Sequence, residues 1–177
     1  MTSTDTSTAA VATEESGDTA YSIGGLTLDL VTSGGEALGG TSNDTIQVHT
    51  LDFLHIDGGD GTDTLELAGT GQHLDLVALG LKVEHIEIFD LGQSGTNSIK
   101  LDLHEAETVK DQPDETLFIR GAEGSQVTLV GEGATWATTG RRVVDGLTFD
   151  VYHNSSLESS NTLGDVLVQH GIQVHQV

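Results

Sequence analysis

Short apolar runs separated by clusters of Gly, Asn, Asp and Ser recur along most of the chain: LTLDLV, DTIQV, FLHI, DTLEL, HLDLV, VEHIEIFDL, NSIKLDL, TLFIR, QVTLV, RRVVDGLTFDVY, DVLVQH and GIQVHQV. Most alternate apolar with polar residues, the period of a strand that buries one face. The pattern predicts an all-β protein made of many short strands. One stretch departs from it: residues 102–112, DLHEAETVKDQ, have the composition of a short helix, and Pro113 would help to stop it.

Residues 1–20, MTSTDTSTAAVATEESGDTA, offer almost nothing to bury, so a disordered Ser/Thr-rich linker is expected there, with order beginning near Tyr21. The remainder divides into a glycine-rich part, 21–100, and a part, 101–177, that holds the only Trp. Composition sharpens this picture, since 23 glycines stand against a single proline and aromatics make up only 4%. Such a chain is built of small turns between aliphatic strands.

Charge narrows the partners. The formal net charge is −22, and no basic patch is present to meet a phosphate backbone, so nucleic acid is not an expected partner. Self-repulsion on this scale weakens a folded state unless cations collect on it, and Ca²⁺ takes carboxylate and carbonyl oxygens. With no cysteine, neither disulfides nor a thiolate zinc site can form. Residues 1–20 lack the basic start and apolar stretch of a cleaved export signal, and no apolar run reaches membrane-spanning length, so membrane insertion is not expected.

The glycine clusters repeat. Residues 58–66, GGDGTDTLE, match the nine-residue pattern G-G-x-G-x-D-x-U-x at every specified position, with Leu65 as the large aliphatic U. Residues 39–47, GGTSNDTIQ, match with Ser42 in place of the third glycine. Residues 92–100, GQSGTNSIK, match more loosely, with Gln93 for a glycine and Asn97 for the aspartate. Glycines let such a turn adopt φ > 0 and bring its carbonyl oxygens inward, while the Asp adds a carboxylate. Asp44 and Asp63 lie nineteen residues apart, one more than two such repeats, and the intervening VHTLDFLHI would form the opposite edge.

These residues resemble the repeats-in-toxin (RTX) family, the calcium-binding β-rolls carried by type I secreted bacterial proteins. The resemblance implies a short parallel β-roll or solenoid over 21–100. In it Asp44 and Asp63 would supply carboxylates to Ca²⁺, Gly39, Gly40, Thr41 and Ser42 and Gly58, Gly59, Asp60 and Gly61 would supply turn carbonyls, and Asp60 would be an extra ligand. A second resemblance covers about 50–177. The order LDLVALGLKVEHIEIFDLG, NSIKLDLHEAETV, ETLFIRGAEGSQVTLVGEGATW, VDGLTFDVYH and GIQVHQV is similar to the C-terminal region of large biofilm-associated adhesins exported by type I systems. It implies that 101–177 is a C-terminal β domain, continuing the solenoid or forming a sandwich, with the uncleaved export address at its end. The partners implied are the type I secretion machinery and ligands of the cell surface or biofilm matrix, at an extracellular location.

Other chemistry is weaker. His104 and Glu105 begin like a metalloprotease helix, but position 108 is Thr rather than the second His, and His49, His55, His73, His85, His153, His170 and His175 are scattered among strands. The sequence GQSGT at 92–96 lacks the glycine spacing of a serine elbow, so no enzyme activity is expected. Trp136, in GEGATWATTG, reads either as a sugar-stacking platform or as a core plug. Two other classes of function stay open: a carbohydrate- or protein-binding adhesive module, and the calcium-binding tail of a secreted enzyme.

Overall fold

The computed structural model describes residues 10–11, 19–21, 27–30, 33–111, 115–157 and 164–177. The described residues are mostly strand, and most strand pairs are parallel. Seven parallel strands make up most of one long sheet: β1 (Ala10–Val11), β3 (Thr27–Leu30), β5 (Thr45–Val48), β7 (Thr64–Leu67), β10 (Ile88–Asp90), β12 (Leu117–Arg120) and β16 (Val166–Gln169). At its end β15 (Leu147–Asn154) and β14 (Trp136–Val144) add in antiparallel pairing. One short sheet holds β2 (Thr19–Tyr21), β4 (Glu36–Leu38), β6 (His55–Asp57) and β9 (Val83–Glu84). The other holds β8 (His73–Asp75), β11 (Ser98–Leu101), β13 (Gln126–Leu129) and β17 (Gln173–Gln176). The chain thus runs out along the long sheet and returns along a short one, first that of β2 and later that of β8.

The alternation read from the sequence sets which side chains face inward. Leu28, Ile46, Leu65, Phe89, Ile119 and Val168 share one register across the long sheet, each 1% exposed or less. Ala37, Ile56 and Val83 stack in one short sheet, and Leu74, Ile99 and Val127 in the other. All belong to one buried cluster. Like positions therefore stack on like positions, and each such Leu, Ile, Val or Phe contributes about 1.5–3 kcal/mol by leaving water.

Several runs divide differently from the expected strands. HLDLV is a strand only as far as Asp75, whose side chain accepts from the Ala78 N–H and starts a short helix, α1 (Leu76–Leu79). VEHIEIFDL is cut at His85, where φ is +53°, so that β9 and β10 lie in different sheets. RRVVDGLTFDVY folds back at Asp145 and Gly146, both with positive φ, which is the two-residue turn that matches strand twist. The expected helix is present as α2 (Leu103–Thr108), started by a reciprocal cap between Asp102 and Glu105; Pro113 lies outside the described residues. Most of the expected linker, 1–20, also lies outside them, and its described pieces, Ala10–Val11 and Thr19–Ala20, are paired strands. Strand β11 spans the expected boundary at 100/101, and its sheet continues on both sides.

Candidate metal centre

The turns 39–44 and 58–63 connect the short sheet of β4 and β6 to β5 and β7, and because those strands are neighbours the two turns lie directly against each other. The Gly39 N–H donates to the Asp57 carbonyl at 2.7 Å, the Asp60 N–H to the Gly40 carbonyl at 2.9 Å, and the Thr64 N–H to the Asp44 carbonyl at 2.9 Å. Glycine is needed for this approach. A Cβ at Gly39 would lie 1.8 Å from the Gly58 carbonyl oxygen, and one at Gly58 would lie 1.9 Å from that of His85. All ten residues expected at the site, Gly39, Gly40, Thr41, Ser42, Asp44, Gly58, Gly59, Asp60, Gly61 and Asp63, are brought into this pair of turns. Within it Thr41 and Asp60 are exposed, whereas Asp44 and Asp63 are buried.

The two aspartates form part of a ladder. The Gly40 N–H donates to Asp44 Oδ2 at 3.0 Å, and the Asp44 N–H donates to Asp63 Oδ1 at 2.6 Å. The Asp63 N–H donates in turn to Glu87 Oε2 at 2.7 Å, and the Asp111 N–H donates to Glu87 Oε1 at 2.8 Å. Glu87 was not among the expected site residues. The signal for it is positional: like Asp44 and Asp63 it immediately precedes a strand of the long sheet, but its turn carries no glycine pattern.

One atom in this ladder is left over. Oδ2 of Asp63 is buried and has no hydrogen-bond partner among the described residues. Burial pushes the Asp63 carboxyl from 3.8 up to about 7; the charges of Glu87, Asp44 and Asp111 push the same way, and the N–H of Asp44 opposes them. Burial likewise raises Glu87. A buried carboxylate oxygen without a donor costs about 1–3 kcal/mol or more, so it calls for a proton or a cation.

The third glycine turn meets the same need differently. Asn97 is fully buried; its Oδ1 accepts from the Gln72 N–H at 2.9 Å, and its Nδ2 donates to the carbonyls of Leu67 at 3.2 Å, Gly69 at 2.9 Å and Leu91 at 3.1 Å. A neutral amide here gathers three carbonyl oxygens that would otherwise face a charge. Replacing the aspartate of the pattern by Asn makes the turn self-sufficient.

The donor set at Asp44 and Asp63 is all oxygen, which suits a hard cation such as Ca²⁺. Among the described residues no group of three or more His, Cys, Asp or Glu side chains converges as a metal site, so an ion here would rest on two carboxylates and on turn carbonyls. Trp136 is 3% exposed, and its Nε1–H donates to the Val130 carbonyl at 2.9 Å, the position of a core plug. No helix among the described residues is long and apolar enough to cross a membrane. Comparison with protein-family models, with curated proteins and with solved structures finds no match.

Proposed function

We propose that the chain is a calcium-ordered β-roll of the RTX kind, from the C-terminal part of a type I secreted adhesin, and that its role is non-enzymatic. Ca²⁺ sits between the turns 39–44 and 58–63, held by the carboxylates of Asp44 and Asp63 and by carbonyls of Gly39 to Ser42 and Gly58 to Gly61. The observation that carries this reading is Oδ2 of Asp63, buried and without a partner among the described residues, between two stacked glycine turns. The charge of −22 supports it, because bound cations relieve the repulsion. Continuous pairing past residue 101 favours a roll that continues as a β-solenoid rather than a separate sandwich.

Binding to the folded form alone stabilises it by mass action, so the module stays loose where calcium is scarce and orders where calcium is at millimolar level, as outside a cell. Folding on emergence then opposes backsliding through the exporter, and the ordered module serves attachment and biofilm formation at the bacterial surface. The experiment is thermal melting with calcium chelated and with millimolar calcium, together with secretion of Asp44→Ala plus Asp63→Ala. A melting temperature that ignores calcium, with undiminished export of the double variant, rejects the reading.

A further inference from the structure

The long sheet has a second face, turned away from the core. Phe89, Ile119 and Val168 point inward, so the residues that follow them, Asp90, Arg120 and Gln169, point outward in one row across three neighbouring strands. Phe149 of β15 pairs with Gln169 and continues the row, and Leu147, two residues earlier at the hairpin tip, stands on the same face, 39% exposed. Two glycine turns from the stack that contains Asn97 close another side. A Cβ at Gly95 would lie 2.4 Å from the Glu123 carbonyl oxygen, and one at Gly124 would lie 2.7 Å from that of Gly95, so turns 92–97 and 121–125 meet backbone to backbone. Gln93 and Glu123 stand exposed on their rim. Asp90, Gln93, Arg120, Glu123, Leu147 and Gln169 thus converge on one open cleft of about 440 Å³.

Each polar group on the floor of this cleft is held at one end and open at the other. Asp90 Oδ1 accepts from the Gly92 N–H at 2.8 Å, and Oδ2 accepts from Arg120 Nε–H at 2.7 Å. The Asp90 side chain is only 16% exposed, and each carboxylate oxygen keeps a second lone pair for a further donor. The terminal nitrogens of Arg120 have no partner among the described residues. Gln169 Oε1 accepts from the Gly121 N–H at 3.2 Å, which fixes the amide and leaves Nε2 as a free donor. Donors and acceptors fixed in advance lose little freedom when a ligand arrives.

The ligand chemistry follows from this mixture. Acceptors on Asp90 and Glu123 lie beside donors on Arg120 and Gln169. A carboxylate or sulfate only accepts and would face two carboxylates, whereas an ammonium only donates and would face a guanidinium. A hydroxyl both donates and accepts, so neighbouring hydroxyls on a neutral ring satisfy both kinds of group, and the C–H surface of such a ring suits Leu147. We propose that this outer-face cleft binds a neutral pyranose sugar, free or at the end of a glycan. The volume is within the range of small-molecule sites and holds one such ring. The proposal does not rest on calcium binding, because none of these residues belongs to turns 39–44 and 58–63.

The test follows the side-chain amide of Gln169, the Nε–H of Arg120 and the backbone amides of the isotope-labelled full chain by NMR. Methyl glucoside, methyl galactoside and methyl mannoside are titrated to about 20 mM, with glucuronate and glucosamine as charged counterparts, each with and without calcium. At least one neutral glycoside is expected to shift Gln169, Arg120 and Gly121 saturably and to bind more tightly than its charged counterparts. Gln169→Glu keeps the acceptor for the Gly121 N–H but removes the free donor, and is expected to weaken that glycoside at least about tenfold. Gln93→Ala, on the exposed rim where the fold does not depend on it, is expected to weaken it about threefold or more. No saturable shift from any of the three glycosides, tighter binding of glucuronate or glucosamine, or unchanged affinity in both variants would overturn the proposal. Glycoside binding in a protein whose melting ignores calcium removes only the metal reading, and calcium-dependent melting without glycoside binding removes only this one.

Discussion

The main-chain N–H of Asp44 donates to Oδ1 of Asp63 at 2.6 Å, across nineteen residues of chain. Asp44 thus uses one oxygen of the neighbouring turn's carboxylate as an acceptor, and the second oxygen of Asp63 has no donor among the described residues. Asn at this position would keep the acceptor and remove the charge, as Asn97 does in the other stack of turns. Asp63→Asn is therefore expected to be more stable than the wild type by about 1–3 kcal/mol with calcium chelated at pH 8, and to lose the calcium response. Denaturant unfolding of both proteins with and without calcium measures the two effects. A variant that still gains stability from calcium would place the ion elsewhere.

The same carboxyl fixes the sign of a pH dependence. Folded Asp63 holds its proton up to about 7, whereas its ordinary value is 3.8. Between those values the folded state binds more protons than the unfolded one, so this group makes stability fall as pH rises from about 4 to about 7. The slope from this one group is at most about 1.4 kcal/mol per pH unit, and Glu87, also raised, adds in the same direction. Calcium competes with the proton for the carboxylate, so millimolar calcium is expected to flatten the fall and to stabilise most above pH 7. Because many acids titrate in this chain, the decisive quantity is the difference in slope between wild type and Asp63→Asn without calcium, and equal slopes would refute the assignment.

Much of this site is legible in the amino-acid sequence, and the reason is local. A turn such as GGDGTD states its own backbone needs, so glycine spacing alone points to Asp44 and Asp63 as partners. The number of stacked strands is not legible. Between the stacked residues Leu28, Ile46, Leu65, Phe89, Ile119 and Val168 the steps are eighteen, nineteen, twenty-four, thirty and forty-nine residues. The later connections between stacked strands carry α1, α2 and the β14–β15 hairpin, so their period disappears while the stacking survives. Glu87 is hidden for the same reason: its turn is tight around His85, and a single Glu before an apolar run carries no signal of burial. The cut inside VEHIEIFDL depends on His85 taking a left-handed backbone, which alternation cannot show.

The close stacking of the turns makes their glycines unequal to others in the chain. Gly58→Ala would place a methyl 1.9 Å from the His85 carbonyl oxygen and 2.7 Å from Asp63 Cβ, so the backbone must move. A cost of about 1–3 kcal/mol or more is expected, together with weaker calcium binding. Gly140→Ala meets nothing within 4 Å and is expected to stay within about 0.5 kcal/mol of wild type. Chemical denaturation of the pair tests whether contact, and not loss of glycine as such, sets the cost.

Asn97→Asp is the reciprocal of the first substitution. It removes the donor that three carbonyls share, those of Leu67, Gly69 and Leu91, and sets a buried negative charge among their oxygens. Without calcium the expected loss is about 3–5 kcal/mol, the scale for a buried charge left uncompensated. With calcium the same oxygens and the new carboxylate form a hard donor set like that of the other turns, so the variant is expected to recover much of the loss and to bind one more ion than the wild type. Calorimetric titration gives the ion count and melting gives the recovery. If Asn97→Asp were as stable as wild type in chelator, the amide would not be standing in for a cation, and the contrast between the two stacks of turns would have no electrostatic basis.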